Sequence, residues 1–176
     1  PLNAGFFSSK GNAMTIGVVK TQGTELFFID ALTVPLTPAL VKLSCPTGIT
    51  GLGGAADQIE DTCLDNLGDK TFTRGLGNPG QVSVPFNLIP RDVSHRLLFQ
   101  LKDAGTTVKW MVCLSESATD PTLVTGNIVP VATRSCLAFE GYIADVNIDV
   151  ATNEIVRGTL TIQRSGTVTP SWFIPT

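Results

Sequence analysis

A chain of 176 residues is long enough to bury a proper single core, and its net charge of −3 with an isoelectric point near 5.0 excludes a nucleic-acid grip built on phosphate neutralisation. Hydrophobic residues make up 43 % of the chain and charged residues only 15 %, against about 25 % charged in ordinary soluble domains. With a mean hydropathy of +0.25, such a surface calls for cover, either by a membrane or by other proteins.

The membrane fails on segment length, because a spanning helix needs about 20 consecutive, predominantly apolar residues. The longest uncharged stretches, 31–41 and 43–56, are short or broken by Pro35, Pro38, Pro46 and a run of glycines. An outer-membrane barrel needs more regular strands than this chain supplies, so no membrane insertion is expected. The first residues show no basic segment followed by an apolar run, and no secretory leader is expected. Cover by partner proteins remains.

In chain order, residues 1–12 form an arm of small residues that also carries Phe6 and Phe7, expected to order only where those aromatics dock. Residues 13–176 are expected to form a single domain. Met14, Ile16 and Val18 alternate as a first strand, and residues 26–29 form a second, apolar on both faces, with Gln22 and Gly23 in the turn between them. Residues 46–80 differ in kind, with eight of the 17 glycines together with Asp57, Glu60, Asp61, Asp65 and Asp69. A connection so far beyond the usual length of about 4–6 residues is expected to project from the core, with a short strand near 58–64.

Strict alternation follows at 81–88, where Val82, Val84, Phe86 and Leu88 face one side. Pro85, on the other side, offers no N–H to a ladder and predicts an edge or a bulge. A helix is predicted over about 92–104, capped by Asp92, with Val93, Leu97, Leu98, Leu101 and Ala104 as its apolar stripe and Gly105 as its stop. Val108, Trp110, Val112 and Leu114 mark the next strand, and a nearly uncharged insertion spans 115–135. Residues 137–150 are apolar at Phe139 and Ile143 and then at Tyr142, Ala144, Val146, Ile148 and Val150, a change of face that predicts a bulge near Gly141. Arg157, Thr159, Thr161 and Gln163 alternate with Val156, Gly158, Leu160 and Ile162 in a last strand, and no internal repeat is visible.

Motifs that imitate chemistry do not hold together. Residues 75–80 read G-x-G-x-x-G, but Pro79 interrupts them and a strand follows where a phosphate-binding helix should start. The glycines at 51–54 lead into Asp57, Glu60 and Asp61, whose charge repels phosphate, so both segments read as flexible loops. Asp145, Asn147 and Asp149 imitate a calcium loop, yet Val150 and Val156 stand where it needs glycine and glutamate. On a strand those three side chains are spaced about 6.7 Å apart. Polar alternation toward solvent is the plainer reading. The lone histidine, His95, is expected on the polar side of the helix beside Arg96, as surface decoration and not a general base. Trp110 and Trp172 read as packing anchors, and nothing brings Glu140 and Asp145 to one cleft. The four cysteines, Cys45, Cys63, Cys113 and Cys136, show no C-x-x-C pair and no zinc spacing. An even count permits disulfides, but reduced thiols are expected. No catalytic, cofactor-binding or metal-binding residue is expected, and the chain does not read as an enzyme.

The order of elements carries more information than any motif. Asp61-Thr62-Cys63 and 69–76 lie in the acidic glycine-rich loop; then come Pro79-Gly80, the alternating strand, the helix, and the strand around Trp110. Phe139-Glu140-Gly141-Tyr142-Ile143 and the strand ending in 161–166 close the series. From residue 13 to about 169 this order resembles the tail tube (major tail) proteins of long, non-contractile-tailed phages (siphophages), a family related in fold to the type VI secretion tube protein. The resemblance implies a mainly β, β-sandwich or barrel-like domain with one flanking helix and a long projecting loop over about 46–80. It implies hexameric rings stacked into a hollow virion tube that conducts double-stranded DNA without binding it tightly.

It further implies tape-measure, tail tip and tail terminator proteins as partners, and assembly in the host bacterial cytoplasm. On that reading Asn147, Asp149, Thr159, Thr161 and Gln163 face the lumen, where neutral and acidic side chains let phosphates slide; Arg157, on the same face, runs against it. Gly51, Asp57, Glu60, Asp61, Asp65 and Asp69 lie in the ring-stacking loop. Phe6, Phe7, Trp172 and Phe173 dock the termini on neighbours. Two alternatives stay open. One is a monomeric β-sandwich binding module, carbohydrate-binding or adhesin-like, which needs exposed aromatics on one strand face. The other is a different virion part, such as a tail terminator or a head decoration protein.

Overall fold

In the computed structural model, residues 18–30, 32, 38–65 and 67–174 are described. Phe6, Phe7, Met14 and Ile16 lie outside them, and Val18, the remaining member of the expected first strand, is exposed and belongs to no strand. Strand β1 (Glu25–Asp30) buries every residue from Leu26 to Asp30. Successive strand side chains point to opposite faces, so both sides of β1 must be covered.

β1 lies in a six-stranded antiparallel sheet with β2 (Ala39–Lys42), β5 (Gln81–Asn87), β6 (Val108–Cys113), β9 (Cys136–Asp149) and β10 (Arg157–Ser171), in the order β2-β1-β6-β9-β10-β5. The sheet curls until its two ends meet. Leu43 N–H, just past β2, donates to Leu26 O at 2.8 Å, while Asn87 N–H of β5 donates to Cys45 O at 3.1 Å. Two residues of chain reach only about 7 Å, so the segment just past β2 bridges β1 and β5 at this seam. The chain then runs along the outer edge of β5, where Thr50 and Ser83 exchange both backbone bonds and Thr47 N–H donates to Pro85 O at 2.8 Å. Pro85 therefore points its missing N–H at this irregular segment, not at β10, which is how an edge strand tolerates proline.

Helix α1 (Val93–Ala104) fills the concave side. Asp92 caps it by accepting from Ser94 N–H at 2.7 Å, and Gly105 ends it in the left-handed region. Leu97, Leu98 and Leu101 join Leu26, Phe28, Val84, Phe86, Trp110, Phe139, Leu160 and Ile162 in one core. Asp92 also accepts from Ser44 Oγ at 2.6 Å, and the bonds from Ser44 and Ser94 hold its pKa down to about 2. The helix N-terminus thus pins the seam.

His95 belongs to that pin and corrects the expectation of an exposed side chain. It is 1 % exposed, its Nδ1 accepts from Ile89 N–H at 2.9 Å, and its Nε2 donates to Ser44 O at 2.8 Å. Three residues before Leu98 it shares the buried helix face, whereas Val93, expected in the stripe, is exposed.

Both long connections contain hairpins. Residues 46–80 hold β3 (Ala55–Glu60) and β4 (Phe72–Asn78), paired from Ala55↔Asn78 to Glu60↔Phe72. The expected strand at 58–64 is displaced accordingly, and Gly75 and Gly77 lie within β4, not in a flexible loop. The 115–135 insertion holds β7 (Thr122–Val124) and β8 (Asn127–Val129), joined by Thr125 and Gly126, both at positive φ as a tight hairpin turn requires. Ile128 and Leu40 pack over Phe27, Met111, Cys113 and Cys136, which covers the second face of β1 and β6.

The bulge in β9 falls at Ala144, not near Gly141: Ile143 faces Ile162 and Asp145 faces Thr161, with one residue left over between them. Tyr142 and Ala144 stay on the outer side and the change of face begins at Val146. Gly141 is glycine for a different reason. Trp110 Nε1 donates to its carbonyl at 3.0 Å, and a Cβ there would lie 2.5 Å from Gln163 O. Among the described residues no helix is long and apolar enough to cross a membrane.

Candidate assembly surfaces

Three strands build the polar face. Across β9, β10 and β5 the register aligns Asp149, Arg157 and Asn87, then Asn147, Thr159 and Pro85, then Asp145, Thr161 and Ser83, then Tyr142, Gln163 and Gln81. Directly opposed residues of antiparallel strands share a face. Asn147, Asp149, Thr159, Thr161 and Gln163 therefore stand together, opposite the side that buries Val146, Leu160, Ile162 and Val84. Asn147 Nδ2 donates to Asp149 Oδ1 at 3.2 Å. Gln163 is held more firmly, its Nε2 donating to Gly80 O at 3.1 Å.

Arg157 carries less free charge than the sequence implied. It pairs with Glu154 at 3.6 Å and stands opposite Asp149 in the register. Lys102, near the end of α1, donates to Asp145 Oδ1 at 2.7 Å, and that bond with its charge holds the Asp145 carboxyl below the usual range. Asp145 is thus committed to a lysine and does not converge with Asp149 on an ion.

The β3–β4 hairpin is fastened at its roots. Arg164, almost wholly buried on β10, donates through Nη1 to Leu52 O at 3.4 Å and through Nη2 to Gly53 O. Its own N–H reaches Gly80 O at 3.3 Å, so one residue holds both ends of the excursion. Its Nε finds no partner, and burial pushes its pKa down. Gly51 belongs to this base and not to the projection, because a Cβ there would lie 2.0 Å from Gln81 O.

Farther out, Lys70 pairs with Glu60 at 2.9 Å, and Thr73 Oγ1 donates to Asp61 at 2.5 Å. Bonds from Thr73 and Thr71 hold the Asp61 carboxyl below its usual pKa. Asp57, Asp65 and Asp69 are exposed along the same excursion. So are Ile59, Leu64, Leu67, Phe72 and Leu76, with Leu64 and Leu67 bare to solvent at the tip. Leaving that much apolar surface in water on a polar hairpin is unfavourable without a partner.

At the C-terminal end Trp172 and Ile174 are exposed, whereas Phe173 is half-buried and its N–H donates to Ser135 Oγ at 3.0 Å. Among the described residues the aromatics do not form a platform. Trp110 is buried between Phe28 and Phe139, with ring centroids at 5.1 Å and 6.4 Å, and Tyr142 and Trp172 lie on different elements.

Sequence reasoning missed Arg134. It is 1 % exposed and donates to Leu114 O, Cys113 O and Glu25 Oε2, each at 2.8 Å, and to Thr119 O at 3.2 Å. Burial pushes the Glu25 carboxyl up, but bonds from Lys42 and Arg134 outweigh it and hold the group below its usual range. The available signal was that Arg134 is the lone cation of an almost uncharged insertion.

What the hairpin, the strand face and Trp172 share is surface that the described residues of the chain leave exposed. Residues 17–173 match the family described as phage tail tube, TTP, lambda-like, and the chain belongs to that family. It is accordingly a structural component of a phage tail tube. Structural protein 3 of Pseudomonas phage PAJU2 is 37 % identical over 155 residues, covering 85 % of this chain and 91 % of that protein. The fold also resembles the SPP1 tail tube solved by solid-state NMR and cryo-EM (TM-score 0.61, 12 % identity, 90 % of this chain and 81 % of that one). A chain of the sheath–tube complex of the PVC extracellular contractile injection system in its extended state gives TM-score 0.61 at 12 % identity, with 94 % and 99 % covered. The tail of the empty GTA particle gives 0.59 at 11 %, with 88 % and 99 % covered.

Proposed function

We propose that the chain forms hexameric rings that stack into a hollow tube, with the β9–β10–β5 face lining the bore and the β3–β4 hairpin reaching the adjacent ring. The observation that carries this reading is the hairpin. It is anchored at its roots by Arg164 and bares Leu64 and Leu67 at its tip, where no described residue covers them. The C6 symmetry of the GTA tail, which this fold resembles, supports a hexameric ring. On the bore face Arg157 is matched by Glu154, leaving Asn147, Thr159 and Thr161 as neutral polar surface past which double-stranded DNA slides without a cationic hold. Tape-measure, tail tip and terminator proteins would bound such a tube in the virion, assembled in the host cytoplasm, with the exposed Trp172 docking on a neighbour.

The test is to replace residues 61–71 by a two-residue Asn-Gly turn, which keeps β3, β4 and the Arg164 anchor. Purified wild-type protein should give rings at six times 18.6 kDa or long tubes by light scattering and negative-stain microscopy. The shortened protein should stay folded by circular dichroism and remain a monomer or a single ring. Tubes of normal length from the shortened chain would remove the stacking role.

A further inference from the structure

Cys113 and Cys136 are register partners at the end of the β6–β9 ladder. The next pair in that register, Leu114 and Ser135, is joined by a bond of 2.9 Å from Leu114 N–H to Ser135 O. Hydrogen-bonded and non-hydrogen-bonded pairs alternate along an antiparallel ladder, so the two cysteines form a non-hydrogen-bonded pair. Cα atoms in such a pair are only about 4.5 Å apart, with their side chains at closest approach. A disulfide spans Cα separations of about 4.4–6.8 Å. The thiols are free, 0 % and 1 % exposed, and packed in one cluster with Phe27 and Met111. The register therefore sets the two backbones within disulfide reach.

We propose that Cys113 and Cys136 are a disulfide-forming site, at which a small external disulfide of the glutathione type converts the two thiols into one covalent staple between β6 and β9. Cys136 is the first nucleophile. A hydrogen bond from Cys113 lowers its pKa and, against burial, the nearby Arg134 guanidinium favours its thiolate; the same hydrogen bond and burial push Cys113 up. The Cys136 thiolate attacks one sulfur of the external disulfide, forming a mixed disulfide and releasing one small thiol. Cys113 then loses its proton and attacks Cys136 Sγ, which releases the second small thiol. Two electrons and two protons pass from the cysteines to the external disulfide, so the exchange balances.

The staple closes a loop over 113–136, which holds the β7–β8 hairpin and Arg134. It therefore fixes the cover over Phe27 and Met111 and restricts the unfolded chain. Cys45 and Cys63 are exposed and have no such partner. They are the thiols a reagent meets first, and they must be removed for a clean reading.

The experiment uses the full chain carrying Cys45→Ser and Cys63→Ser, incubated with oxidised glutathione, with and without sub-denaturing urea to admit the reagent. Peptide mapping by mass spectrometry should recover a Cys113–Cys136 cross-linked peptide. The thermal midpoint should rise by roughly 6–12 °C and fall back on reduction with dithiothreitol. Adding Cys113→Ser should abolish the rise, and reversal by dithiothreitol in the parent serves the same purpose if that variant folds poorly. Two free thiols after exposure in urea, a mixed disulfide stalled at Cys136, or a cross-link with no rise in midpoint would each overturn the proposal.

Discussion

The two long connections differ in composition, one acidic and glycine-rich and the other almost uncharged, and they behave in opposite ways. Residues 46–80 and 115–135 both leave the sheet, both fold as hairpins, and each depends on one buried arginine. The β7–β8 hairpin turns its Leu123–Ile128 pair inward over the sheet, and Arg134 is matched by the Glu25 carboxylate and three carbonyls. The β3–β4 hairpin turns its leucines outward, and Arg164 meets carbonyls with one donor unpaired. The first arrangement completes the subunit's own core. The second commits a buried charge to a hairpin whose own surface stays exposed.

Exchanging each arginine for methionine should separate the two. Arg134→Met leaves Glu25 with one cation fewer and strands the carbonyls of Cys113 and Leu114 at the end of the ladder. Breaking a buried pair on one side costs about 3–5 kcal/mol, and urea unfolding should show a loss of that size. Arg164→Met removes a guanidinium that faces no carboxylate, so relief of its desolvation offsets most of the lost bonds. Global stability should fall by only about 1 kcal/mol. Amide exchange at 53–58 and 76–80 should nevertheless quicken, since the hairpin loses its anchor while the core keeps its packing. Equal losses of global stability in the two variants would erase the distinction between a cover and a projection.

Much of the sheet was legible because its strands bury one face. Val82, Val84 and Phe86 alternate with polar residues, as do Leu160 and Ile162, and these periodicities gave β5 and β10 with their faces correctly set. The polar face was legible by the same alternation, since Asn147 and Thr159 are the outward members of buried strands. The hairpins were not. In β3–β4 both faces are exposed, so no period of two arises and glycines inside a strand read as loop. Arg134 and Arg164 were invisible for another reason: their partners lie far away in sequence, at Glu25 and at Leu52 and Gly53. His95 was misplaced because a stripe counted in apolar residues alone omits a polar ring whose two nitrogens are satisfied by Ile89 and Ser44.

The tip of the projecting hairpin offers the smallest effect on folding and the sharpest test of the comparison. Leu64 and Leu67 are fully exposed, so Leu64→Ser with Leu67→Ser should leave the unfolding free energy within about 0.5 kcal/mol of wild type. Ile128→Ser on the inner hairpin should destabilise the subunit, because Ile128 packs against the cluster of Phe27, Met111, Cys113 and Cys136. If the outward leucines are contacts between rings, the tip variant should instead lose tubes, read as the fraction of protein pelleting as polymer at fixed concentration. A tip variant that polymerises normally would mean that those leucines are bare for some other purpose. One that unfolds early would mean that the hairpin belongs to the core after all.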